Sequence, residues 1–116
     1  MHRFLKLIYS NKVFFEHMAG RSSDRWATFE DVIGSDGKTR YTFKINRGAH
    51  TNRYTAVNTT NRNTIEVRIF RGTTKGSTIM SQISLMHAAV EYTRVMSVRE
   101  VVDHALDING FISYIE

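Results

Sequence analysis

A chain of 116 residues is predicted to form a single domain over residues 1–116, and its lack of cysteine excludes a disulfide framework or a thiolate metal site. A hydrophobic share of 41%, with 11% aromatic, excludes a disordered chain and supports a core burying roughly two-thirds of the unfolded surface. The net charge of +5 points towards anionic partners, and with no apolar run near the length of a membrane span and no signal-peptide pattern, a soluble cytoplasmic protein, away from membranes, is expected.

Phe4, Leu5, Leu7 and Ile8 predict a short apolar helix with Arg3 and Lys6 towards water. Ser10 or Asn11 is expected to cap a second helix through Val13, Phe14, Phe15 and Met18, ended by Gly20. Phe14 and Phe15 are adjacent, so one should pack inward while the other covers a neighbouring element. Ser22 to Asp24 reads as a further capping signal before Trp26 and Phe29, with Trp26 as an anchor in or at the edge of the core. The run from Gly34 to Gly37 is a turn, and Tyr41, Phe43 and Ile45 alternate with Thr42 and Lys44 as in a strand. A loop over Gly48 to Asn52 leads to another short strand at Tyr54 to Val57.

The stretch from Arg53 to Thr73 carries the clearest pattern. From Thr64 to Phe70, Ile65, Val67 and Ile69 point one way and Thr64, Glu66, Arg68 and Phe70 the other, which is the period of a half-buried strand. Gly72 releases the backbone into a helix capped by Thr78. In that helix Ile79, Ile83, Met86, Val90 and Thr93 recur at helical spacing, flanked by Leu85, Ala89 and Tyr92. It should end near Met96. Ser97 and Glu100 then match a capping box for a helix from Val98 to Ile108, stopped by Asn109-Gly110. The apolar tail from Phe111 to Ile115 fits a helix or an edge strand. Together these elements predict an α+β fold: a small antiparallel sheet of two or three strands packed with helices, and a long helix after the central strand.

Charge is concentrated in the middle of the chain. Between Lys38 and Lys75 there are nine basic residues against Glu66 alone, a net +8, while the remainder has seven basic and ten acidic residues, a net −3. Such a block suits phosphate, nucleic acid or an acidic protein surface; it also fits solvated strand faces. Arg40, Lys44, Arg47 and Arg53 are expected to share one exposed face that meets a partner. Tyr41, Phe43 and Tyr54 interleave with these cations, as stacking on nucleic acid requires, or else fill the core. No motif for reading a nucleic-acid sequence is present.

The segment NRNTIEVRIFRGT, with Arg53 and Asn58 before it and a helix after it, resembles the C-terminal part of phage and plasmid amidoligase-like proteins. These belong to the carboxylate–amine ligase group that includes glutamate–cysteine ligase and glutamine synthetase. FLKLIYSNKVFFEHMAGR is similar to a helical piece that precedes this strand in the same proteins, so the resemblance runs along most of the chain in order. It implies that arginines of the strand region meet nucleotide phosphate or an acyl-phosphate, with Arg53, Asn58, Glu66, Arg68 and Arg71 near the ligand. Guanidinium suits that role, because it binds phosphate oxygens in a fork and stabilises developing charge. Glu66 and Arg68 equally fit a structural pair on a sheet face.

The resemblance also implies a glycine–acid metal motif of the G-x-E-x-E kind, which the chain lacks; Glu16, Asp24, Glu30, Asp31 and Asp36 are scattered. Phosphate chemistry without metal leaves its charge uncompensated, so no catalytic residue is assigned and no enzyme activity is expected. No cofactor is expected either. The one metal to weigh is zinc, since His87 and Glu91, and Glu100 and His104, are each four residues apart on successive helices and would converge if these lay antiparallel. A salt-bridge network through Arg94 or Arg99 is the competing reading.

The sequence thus predicts a non-enzymatic protein of phage or mobile-element type that binds a host protein or ribonucleoprotein, in its most concrete form an inhibitor of a host defence nuclease of the anti-CRISPR kind. The alternatives are an amidoligase-like fragment that needs a partner chain and a non-specific nucleic-acid-binding module.

Overall fold

In a computed structural model the helix expected at the N-terminus runs from His2 to Ser10 (α1), and it is buried on more than one side. The structure describes residues 1–22, 25–29, 31–33, 39–41, 54–61, 63–102 and 106–116, with the backbone alone for His2, residues 31–33 and 39–41, Val101 and Val102. Phe4, Leu5, Leu7, Ile8 and Tyr9 are all buried, and Lys6 and Ser10 face water. Five buried side chains in nine residues exceed a single amphipathic stripe, so α1 lies inside the fold and not across its surface.

Asn11 turns the chain into α2, Lys12–Ala19. Its side chain does not cap that helix. Instead the amide Nδ2 donates to Leu7 O at 2.7 Å and to Leu106 O at 2.9 Å, tying the corner to the C-terminal region. Gly20 ends α2 with φ +70°, a left-handed conformation that a side chain would oppose. Phe15 is fully buried and stacks against Phe111 at 6.3 Å, while half-buried Phe14 meets the same ring edge-on at 6.5 Å. The adjacent phenylalanines thus divide the work as expected.

Beyond Gly20 the sequence reading needs correction. Residues 25–29 form bends and a bridge, not a helix, because the backbone is drawn into pairing: Thr28 N donates to Tyr54 O and Ala56 N to Thr28 O, both at 2.9 Å. Asp31–Ile33 (β1), which has no alternation to reveal it, pairs antiparallel with Thr39–Tyr41 (β2). The turn expected at residues 34–37, the rest of the Tyr41–Ile45 strand and the loop at 48–52 lie outside the described residues.

Val57–Asn58 (β3) pairs antiparallel with Glu66–Val67 (β4). The strand predicted from Thr64 to Phe70 is therefore much shorter. Ladder pairing extends only one step, through Arg68 N to Ala56 O at 2.9 Å, and burial rises along the run from exposed Ile65 through half-buried Val67 to buried Ile69. The same segment is fixed from the other side by Arg21, whose guanidinium donates to Ile69 O at 2.9 Å and Arg68 O at 2.6 Å.

The long helix, α3, spans Gly76–Arg94 and starts without a side-chain cap, two residues before Thr78. Of the wide stripe expected, Leu85, Ala89 and Thr93 are buried and Met86 and Tyr92 half-buried, while Ile79, Ile83 and Val90 remain exposed. For Ile79 and Ile83 the reason is length. At 1.5 Å per residue, nine-residue α1 is only about 13 Å long and cannot cover a helix of about 28 Å. α1 packs on α3, and burial on α3 begins only at Leu85, so its first half keeps an apolar face towards solvent.

Ser97 caps Val98–Val102 (α4). The predicted continuation to Ile108 fails, since Asp107 is extended (φ −65°, ψ 147°) and caps a separate helix, Ile108–Ile115 (α5), accepting from Asn109 N at 3.4 Å. Asn109-Gly110 therefore lies in a first turn and is not a stop. The undecided tail is helical and delivers Phe111 to the core, beside Tyr92 at 5.4 Å. The architecture is α+β, with small antiparallel strand pairs and the long helix after them.

Candidate functional site

The β3–β4 pairing places Asn58 directly opposite Glu66, so both side chains share one face. Asn58 Nδ2 donates to Glu66 Oε2 at 3.1 Å, and its Oδ1 accepts from Thr60 N at 3.0 Å and Thr60 Oγ1 at 2.7 Å. The buried amide is thereby engaged at both ends and fixes the loop that follows β3. Two residues along β4, Arg68 Nε lies 3.8 Å from Glu66 Oε1. The pair is partly exposed, so its Coulomb contribution is small, on the order of 0–1 kcal/mol. Its effect is to orient the guanidinium, which sits 5.6 Å from the centroid of Tyr54.

These residues line a concavity of about 390 Å³, together with Thr60 and Asn61. A larger one, about 560 Å³, lies between Met1, Phe4, Ile65 and Val90 with Arg3 and Arg94 on its wall. Arg94 there is held by Glu91 at 2.7 Å. The smaller concavity has the denser set of hydrogen-bonding groups and adjoins the aromatic surface described next, and it is the better candidate.

The Thr28–Thr55 bridge brings residues 25–29 beside Tyr54. Trp26 consequently meets Tyr54 edge-on, with centroids 5.0 Å apart and planes at 82°, and Arg25 lies 5.3 Å from the Trp26 ring. Trp26 is 52% exposed, so of the two placements expected for it, in the core or at its edge, the first does not hold. Two adjoining rings thus each carry a guanidinium, in the order Arg25, Trp26, Tyr54, Arg68. Each contact is of cation–π or edge-to-face type, with about 0.5–1 kcal/mol for such a cation at an exposed site.

Of the residues singled out from sequence, Asn58, Glu66 and Arg68 come together as expected. Arg71 is exposed but not part of the concavity; its N–H donates to Ala19 O at 3.0 Å. Arg40 lies on β2 opposite Val32, with only its backbone described, and Lys44, Arg47 and Arg53 lie outside the described residues. Arg25 was missed, and Trp26 was read as an anchor in or at the edge of the core, not as part of a site. Their signal in the sequence is a tryptophan beside an arginine in a segment without apolar periodicity.

The zinc candidates are dispersed in their bonding. His87 is exposed, Glu91 pairs with Arg94, Glu100 accepts from Ser97 N and Oγ at 2.7 Å each, and His104 lies outside the described residues. Among the described residues no three His, Asp or Glu are grouped to hold a metal ion. Among them, too, no helix is long and apolar enough to cross a membrane.

No protein-family model matches this chain, and comparison with curated proteins and with solved structures likewise finds no match.

Proposed function

We propose that the protein acts without catalysis, by binding a macromolecular partner through the face formed by Arg25, Trp26, Tyr54 and Arg68. The observation that carries this reading is the half-exposed tryptophan set between an arginine and a tyrosine, in a chain with a central block of +8. Tryptophan, tyrosine and arginine are the residues that dominate binding energy at interfaces, because they combine large apolar area with a polar or charged end. The concrete form is a phage or mobile-element protein that occupies a host defence nuclease. The strand motif's resemblance to phage proteins and the uneven charge support that form.

The test is retention of a partner from host lysate by immobilised protein. Trp26→Ala and Arg25→Glu are expected to release what the unaltered protein retains, with unchanged circular dichroism. Retention of the same partner by both variants would place the interaction elsewhere on the molecule.

A ligase fragment completed by a partner chain is the second reading, and the shared concavity of Asn58, Glu66 and Arg68 favours it. Under the binding reading, the isolated chain with ATP and Mg²⁺ gives no ATP hydrolysis and no amide-bond formation. Turnover above a no-protein blank that disappears in Arg68→Ala would replace binding with catalysis.

A further inference from the structure

We infer that the concavity between the start of α1, Ile65 and the C-terminal end of α3 binds a small organic carboxylate, an apolar body bearing one negative charge. The site is separate from the binding face proposed above, none of whose residues lines it. Its volume, about 560 Å³, falls in the range of about 300–1,000 Å³ that takes a metabolite- or drug-sized molecule. The lining divides by depth and by chemistry. Phe4 and Thr93 are buried and make the deep side, while Met1, Ile65 and Val90 are partly exposed and make apolar walls nearer the mouth. Thr93 Oγ1 donates to Ala89 O at 2.8 Å, so its O–H is already used and the deep side offers a ligand no polar donor. The guanidiniums of half-buried Arg3 and exposed Arg94 complete the rim. A ligand therefore meets hydrocarbon inside and cations outside, which suits an apolar body with an anionic head.

The surroundings of the two arginines favour a single negative charge over a double one. No carboxylate lines the concavity, yet two stand close behind its rim. Arg94 Nη2 meets Glu91 at 2.7 Å, a bond that holds the guanidinium in place and leaves its other N–H donors for an anion. Arg3 makes no ion pair among the described residues. The Glu100 carboxyl, held down first by its bonds from Ser97 and only then by Arg3, is within electrostatic reach of that guanidinium. Two cations with two carboxylates behind them accept a carboxylate through directed hydrogen bonds. A phosphate monoester would bring a second charge towards Glu91 and Glu100 and meet repulsion. A neutral molecule of the same shape would gain the apolar contacts alone.

The experiment titrates the full chain at neutral pH with naphthoate, naphthamide and naphthyl phosphate, which share a ring system and differ in the charge of the head. Calorimetry is expected to show saturable binding of naphthoate at a single site, with naphthamide weaker by roughly tenfold. Naphthyl phosphate should also bind more weakly than naphthoate. Arg3→Gln should weaken naphthoate by about threefold to tenfold and leave naphthamide unchanged. Val90→Trp, which fills the concavity from its wall, should weaken both. Circular dichroism establishes that each variant is folded. Naphthamide bound as tightly as naphthoate, or naphthoate binding that survives Arg3→Gln and Arg94→Gln together, would overturn the inference, because the rim would then contribute nothing. Naphthoate binding untouched by Val90→Trp would put the ligand elsewhere and overturn it too. So would tighter binding of naphthyl phosphate than of naphthoate, or no binding of any of the three. Retention of a lysate partner is read on Trp26→Ala and Arg25→Glu, so a failure here leaves the proposed binding face standing.

Discussion

Asn11 shows how one polar side chain holds distant parts of this chain together. Its amide donates to carbonyls of Leu7 and Leu106, residues on either side of it that are 99 positions apart in sequence. Asn11→Ala removes both donors and leaves two carbonyls in a partly buried corner. The expected loss is about 1–2 kcal/mol of unfolding free energy, read as a lower urea midpoint with an unchanged slope. Retained stability would mean that water replaces both bonds. Asn11 was legible as a capping residue, and its type was right for that position. Its role is different because α1 and α2 meet at a corner closed by the C-terminal region, a contact that local sequence does not encode.

At the scale of elements, α4 is held by reciprocal bonds: Ser97 N and Oγ donate to the Glu100 carboxylate, and Glu100 N donates to Ser97 Oγ. The Ser97 bonds, backbone first and side chain second, hold the Glu100 carboxyl below its ordinary value, with a smaller contribution from Arg3 and some opposition from burial. A carboxyl lowered by folding stabilises the folded state above its ordinary value, and that contribution disappears as pH falls through the lowered one. Protection of the α4 amides, taken relative to unprotected exchange at the same pH, should therefore fall in acid, and Glu100→Gln should remove that part of the pH dependence. An α4 whose exchange ignores both changes would show that packing, not the cap, sets its stability. The capping box was readable because all of its groups lie within four residues. The break at Asp107 was not. There two signals compete, Asp107 as a cap and Asn109-Gly110 as a stop, and the burial of Phe111 goes with the first.

Over the whole molecule, charge is the property that sequence states most directly. Reversing two of Arg40, Lys44, Arg47 and Arg53 to glutamate should weaken partner binding and flatten its dependence on salt, because fewer counterions are released. Unchanged affinity would identify the block as solvated surface.

The sequence by itself determined the α+β class, α1, α2 with its glycine stop, the long helix after the strands and the pairing of Glu66 with Arg68. Each depends on spacing over a few residues, where backbone geometry translates pattern into structure with little outside influence. Tertiary structure decided the rest. It decided how much of the wide apolar stripe of α3 is covered: Leu85, Ala89 and Thr93 are buried, while Ile79 and Ile83 lie beyond short α1 and stay exposed. It also brought Thr28 against Thr55, and so set Trp26, expected in the core or at its edge, half-exposed against half-buried Tyr54. Those two rings are 28 residues apart in sequence, and only a long-range backbone bridge sets them 5.0 Å from each other.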